Sequence, residues 1–172
     1  MMRYHGRSTA GFTLLELIVV IAIISVLAAV ALPRMQETQR NARVAQAKML
    51  YGALKSATSL ARSRCELDFA SNIKTLPAVN CQANPSRVNM DGKAIDMVNR
   101  HPSASATGID TAIDVNLQAE RISIGSTDCP KGARCFDITG GQTPFCRVIY
   151  IPALVEDKLL ISPEISVVTS GC

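Results

Sequence analysis

Residues 12–32, FTLLELIVVIAIISVLAAVAL, make 21 consecutive positions that are apolar except at Thr13, Glu16 and Ser25. As a helix rising about 1.5 Å per residue, such a run spans roughly 30 Å, the thickness of a hydrocarbon core. It can cross a bilayer. The residues before it carry Arg3 and Arg7 and no acid. By the positive-inside tendency they stay cytoplasmic, and everything after Leu32 is sent outward.

The cysteines agree with that orientation. Cys65, Cys81, Cys129, Cys135, Cys146 and Cys172 all follow the apolar run, as expected for a chain that folds in an oxidising compartment. Six cysteines allow fifteen pairings; neighbouring loops suit a small head, and the pairs expected are Cys65 with Cys81, Cys129 with Cys135, and Cys146 with Cys172. A metal site fits poorly, because no Cys-x-x-Cys pair occurs and His5 and His101 stand apart from the cysteines. No metal and no cofactor are expected.

With 172 residues there is room for one modest domain plus a long helix. The formal charge is +4, and loss of Arg3 and Arg7 with a leader would leave 16 basic against 14 acidic residues, or +2. These charges are scattered. Nucleic-acid binding rests on that balance alone, and a lack of salt-sensitive binding to duplex DNA would discard it.

Glu16 is the anomaly in the apolar run, because a charge at membrane depth costs about 2.5 kcal/mol or more. Neither a secretory signal cleaved near Ala28, Ala29 and Ala31 nor a plain uncleaved anchor explains it. The carboxylate asks for a partner. The string Gly11-Phe12-Thr13-Leu14-Leu15-Glu16-Leu17, followed by the aliphatic run and Pro33, resembles the N-terminal signature of type IV pilins and the related type II secretion pseudopilins.

That resemblance implies a cleaved leader, residues 1–11, removed between Gly11 and Phe12 by a prepilin peptidase that also N-methylates Phe12. It implies that Glu16, one helical turn from the new amine, faces the Phe12 amine of a neighbouring subunit inside a helix bundle. Each charge would offset the cost of burying the other. It also implies a homo-oligomeric helical filament, an inner-membrane assembly platform, minor pilins, and storage in the membrane before assembly. The precursor would sit in the bacterial inner membrane with a periplasmic head, and the product would be an extracellular pilus serving adhesion, twitching motility or DNA uptake. A pseudopilin, a minor pilin and a single-pass anchored receptor are the alternatives. No enzymatic activity is expected.

Pro33 closes a polymerisation segment, residues 12–33. Its missing N–H predicts a kink or a melted turn, or the end of the membrane helix. Residues 34–64 read as an amphipathic continuation with a buried stripe at Met35, Ala42, Ala45, Met49, Ala53, Ala57 and Leu60. Arg40, Arg43, Lys48, Lys55, Arg62 and Arg64 then form a solvated face.

Residues 65–117 collect Pro, Gly, Ser, Asn and Asp and read as a long connecting loop with a short helix near 91–98. Asp110 and Asp114, like Asn89 and Asp91, read as solvated polar groups with too few ligands for calcium. Residues 118–172 read as an antiparallel sheet with strands at 118–124, 135–139, 145–151 and 165–169. Gly140, Gly141 and Pro144 turn between the second and third. Between Pro152 and Pro163 the chain must leave the sheet and return. The expected class is α+β: a long N-terminal helix on a small antiparallel sheet head, the pilin fold.

Overall fold

The computed structural model describes residues 12–70, 85–125, 127–141 and 145–172. The chain divides into two compact units, Met1–Arg40 and Asn41–Cys172. In order, its elements are α1 (Leu14–Ala70), β1 (Ser86–Met90), β2 (Lys93–Val98), β3 (His101–Pro102), α2 (Ile109–Ala112), β4 (Ile122–Gly125), β5 (Arg134–Ile138), β6 (Arg147–Ile151), β7 (Leu154–Glu156), β8 (Leu159–Ile161) and β9 (Glu164–Val168). A long helix followed by small antiparallel sheets is the α+β layout of the pilin fold.

In the second unit α1 has three faces, which follow from its step of about 100° per residue. One face buries Ala47, Leu50, Leu54, Ala57, Thr58, Ala61, Cys65 and Asp68. The expected stripe is therefore displaced around the helix. Ala42, Ala45, Met49 and Leu60 are exposed, Met49 at 64% and Leu60 at 60%, and of that set only Ala57 is buried. Two polar residues sit on the buried face because their needs are met locally. Thr58 Oγ1 donates to the Leu54 carbonyl at 2.7 Å, and Asp68 pairs with Arg64 one turn back at 3.2 Å.

A second face carries the exposed Lys48, Lys55 and Arg62, whereas Arg43, expected on the solvated face, is half-buried. The third runs along Ala42, Ala45, Met49, Gly52, Ser56, Leu60, Ser63 and Leu67. It is an uncharged exposed stripe within an arc of about 80°.

The buried face of α1 meets two sheets. Ala47, Leu50, Leu54 and Ala57 pack with Ile122, Phe136, Ile138, Val148 and Tyr150, and with Ile109 and Ile113 at α2. Ala61 and Cys65 pack with Val88, Ile95 and Met97. The larger sheet has the strand order β4-β5-β6-β9, antiparallel throughout. The smaller, β1-β2-β3, occupies sequence read as loop.

The short helix expected near 91–98 is instead the turn and second strand of a hairpin. Asp91 and Gly92 take φ values of 49° and 79° between the paired residues Met90 and Lys93. A two-residue turn with positive φ at both positions matches strand twist, and Asp-Gly is suited to it. The chain from 152 to 163 leaves the larger sheet as its own hairpin, β7 with β8, whose turn residues Asp157 and Lys158 have φ values of 51° and 68°.

Covalent and charged ties fasten the sheet unit. Cys129 is bonded to Cys135, and Cys146 to Cys172 across 26 residues; a loop of that length restricts the unfolded chain by about 3 kcal/mol. Cys65 is disulfide-bonded. Cys81, its expected partner, lies outside the described residues, as does Pro144. Arg43 Nε donates to the Cys172 carbonyl at 2.6 Å. Arg134 binds Asp110 with both guanidinium arms, tying α2 to β5.

Candidate functional site

The start of α1 is built by its own sequence. Phe12 and Thr13 precede the first turn, and Phe12 is 80% exposed. Thr13 is the N-cap: its Oγ1 accepts the Glu16 backbone N–H at 3.2 Å, and its carbonyl accepts the Leu17 N–H at 3.2 Å. Thr13-Leu14-Leu15-Glu16 is the Ser/Thr-x-x-Glu pattern in which the cap hydroxyl satisfies the third helical N–H. That pattern is legible in the sequence.

Glu16 is the acidic residue of the first turn of α1, where the exposed N–H ends of the helix favour negative charge. The carboxylate thus sits one turn beyond Phe12, at a helix position that tolerates it better than mid-span would. Gly11 lies outside the described residues.

From Phe12 to Leu32 every residue is exposed, and α1 is long and apolar enough to cross a membrane. Ser25 is accommodated because its hydroxyl donates to the Ile21 carbonyl at 2.6 Å, leaving no donor unmatched in an apolar medium. α1 continues through Pro33, so neither a melted turn nor a helix end occurs there. With no N–H, Pro33 leaves the Ala29 carbonyl without its usual helical donor.

Two acids of the head singled out by the sequence are each paired with a base. Asp114 pairs with Lys93, and Asp110 with Arg134. Asn89 Oδ1 accepts the Gly92 N–H at 3.0 Å within the β1–β2 turn. His101 is buried in β3, its Nδ1–H donating to the Asn99 carbonyl at 3.0 Å. Burial holds its pKa below the usual 6.5; Arg62 acts in the same direction, while the Asn99 bond and Glu66 act against it. Burial also raises the Tyr150 phenol, opposed by Thr58. The Tyr150 hydroxyl donates to the Pro102 carbonyl at 2.6 Å and joins the two sheets.

An apolar, exposed segment at residues 12–32 with one carboxylate in the first helical turn, continued in sequence by a disulfide-tied antiparallel head, fits a membrane-anchored precursor. Residues 6–32 match the prokaryotic N-terminal methylation motif. The chain therefore carries the type IV prepilin signature, which supports a pilin- or pseudopilin-like protein. No curated protein and no solved structure matches it significantly.

Proposed function

We propose that this chain is the structural subunit of a type IV pilus filament. A prepilin peptidase cleaves after Gly11 and methylates the Phe12 amine. The processed chain waits in the inner membrane, its head on the periplasmic side. An assembly platform, with minor pilins, then transfers it into a helical homo-oligomer that serves adhesion, twitching motility or DNA uptake outside the cell. Apolar surface withdrawn from lipid is covered again by neighbouring helices, and Pro33, which breaks the hydrogen-bond ladder, is the place where the helix gives during extraction.

The observation that carries this reading is the place of Glu16 in the first turn of an otherwise apolar exposed helix. There it can reach the Phe12 amine of an adjacent copy, so that two charges costly when buried singly are buried together. Cys146–Cys172 and Cys129–Cys135 suit a head that must survive outside the cell.

The test is N-terminal mass spectrometry of the chain in sheared surface fibres of its native host. N-methyl-Phe12 as first residue in abundant fibres is the expected result. The same terminus confined to membranes would instead mark a pseudopilin or minor subunit, and an intact Met1 or Met2 would overturn the processing step.

A further inference from the structure

Two apolar surfaces of the head are left uncovered among the described residues. One is the β7–β8 hairpin, whose strands pair only with each other. Leu154, Val155, Leu159, Leu160 and Ile161 are all exposed, Leu159 at 69%. A two-stranded hairpin without packing is marginal in water, and its pleat puts Leu154, Leu159 and Ile161 on one side, with Glu156 beside them near the turn.

The other is the uncharged stripe of α1. Its upper part, Ala42, Ala45 and Met49, floors a groove of about 560 Å³ whose far wall is Ala119, Glu120 and Arg121. Gln46 fixes that wall by donating to the Glu120 carbonyl.

The two surfaces are complementary in shape and charge. Ala42 and Ala45 keep part of the groove floor small, so leucine side chains of the hairpin can enter beside Met49. Glu120 and Arg121 stand at the rim; Glu156, Asp157 and Lys158 stand at the hairpin end, and among the described residues none of these five is in an ion pair. An acid of the hairpin end would meet Arg121 as Lys158 meets Glu120.

We propose that the β7–β8 hairpin of one copy seats in the Ala42–Ala45–Met49 groove of a second copy of this chain. The contact joins two different patches, so each copy can both give a hairpin and receive one, and where the rotation between copies does not close the contact propagates along a helical array. A hairpin this small makes a weak contact alone. It becomes effective where the N-terminal helices already hold the copies together. The proposal rests on the filament reading for that setting, and on the head alone for its geometry.

The experiment uses the full chain in its host, with Leu159→p-benzoylphenylalanine irradiated both in membranes and in fibres. The expected product is a cross-linked pair of chains whose joined peptide includes residues 42–49 or 119–121. Ala45→Trp, an exposed change that fills the groove, should lower its yield about tenfold. Attachment to another protein, to lipid or to a different face of the chain overturns the proposal, as does a yield unaffected by Ala45→Trp or no product from fibres that contain the chain. Recovery of the wild-type chain from fibres tests the filament reading separately. The expected cross-link in membrane-held chain that never reaches fibres would keep this contact and remove that reading.

Discussion

Arg147 and Asp137 face each other in register across β5 and β6 and are joined by two hydrogen bonds, Nε to Oδ1 at 2.7 Å and Nη2 to Oδ2 at 3.0 Å. The Arg147 side chain is 3% exposed. Its remaining capacity goes to the Thr127 and Asp128 carbonyls at 3.1 and 3.2 Å, and its guanidinium lies 3.7 Å over the Phe145 ring. One arginine therefore ties the sheet to the chain leading into the Cys129–Cys135 loop. Arg147→Met strands the Asp137 carboxylate and two carbonyls, and should cost about 3 kcal/mol. The chain has no Trp, so urea unfolding of the full chain in detergent can be followed by the fluorescence of its tyrosines.

The same measurement across pH should show two separate limbs. The His101 pKa is held below 6.5 by burial. As pH falls through about 6.5 the unfolded chain takes up a proton that the folded chain resists, so stability declines until the folded pKa is reached. His101→Gln should flatten that limb. Asp96 titrates below its ordinary 3.8, first because Thr107 donates to it at 2.6 Å and also because Arg87 pairs with it at 2.7 Å, with burial opposing. Its contribution is present above 3.8 and is lost as pH falls below that value. Thr107→Val should weaken this acid limb and leave the first one unchanged.

The faces of α1 predict a sharp contrast between neighbouring leucines. Leu54 is fully buried against the larger sheet and Leu60 is 60% exposed. Leu54→Ala should cost about 3 kcal/mol, and Leu60→Ala should stay within about 0.5 kcal/mol. Equal losses would show that the stripe read from residue types, rather than the one formed, faces the core.

Glu16→Gln tests the N-terminal pairing without disturbing the helix. Under the proposed function it leaves a neighbouring Phe12 ammonium unmatched in an apolar bundle, at about 2.5 kcal/mol or more. Fibre yield should then fall by well over tenfold, while leader removal, read by mass spectrometry, continues. Unchanged fibre yield would remove Glu16 from assembly.

What could be read from the chain followed from how strongly each segment is patterned. The apolar run of α1 and the strands around Phe136, Val148 and Ile165 carry their period plainly, and strand positions were legible to within a few residues. The face of α1 was not, because Ala42, Ala45 and Met49 are apolar by type but exposed, whereas Thr58 and Asp68 are polar by type but buried with local partners. Residue type alone does not reveal a hydroxyl that bonds backward along its own helix. The β1–β2 hairpin is signalled by Asp91-Gly92, but the Pro and Ser on either side give the segment the composition of an irregular loop. At the helix start, Glu16 reads first as a charge in an apolar run, although the same residue completes the Thr13 cap pattern.

The bond between Cys146 and Cys172 turns β6, the β7–β8 hairpin and β9 into a covalent ring. Under the proposed function the subunit is pulled within a fibre, and under tension that ring cannot pay out. The 26-residue separation would otherwise release roughly 90 Å of extended chain at about 3.4 Å per residue. With the bond in place, a head that begins to yield lengthens only through its other segments, and the half of the sheet that holds Tyr150 and Arg147 is the part load unravels least.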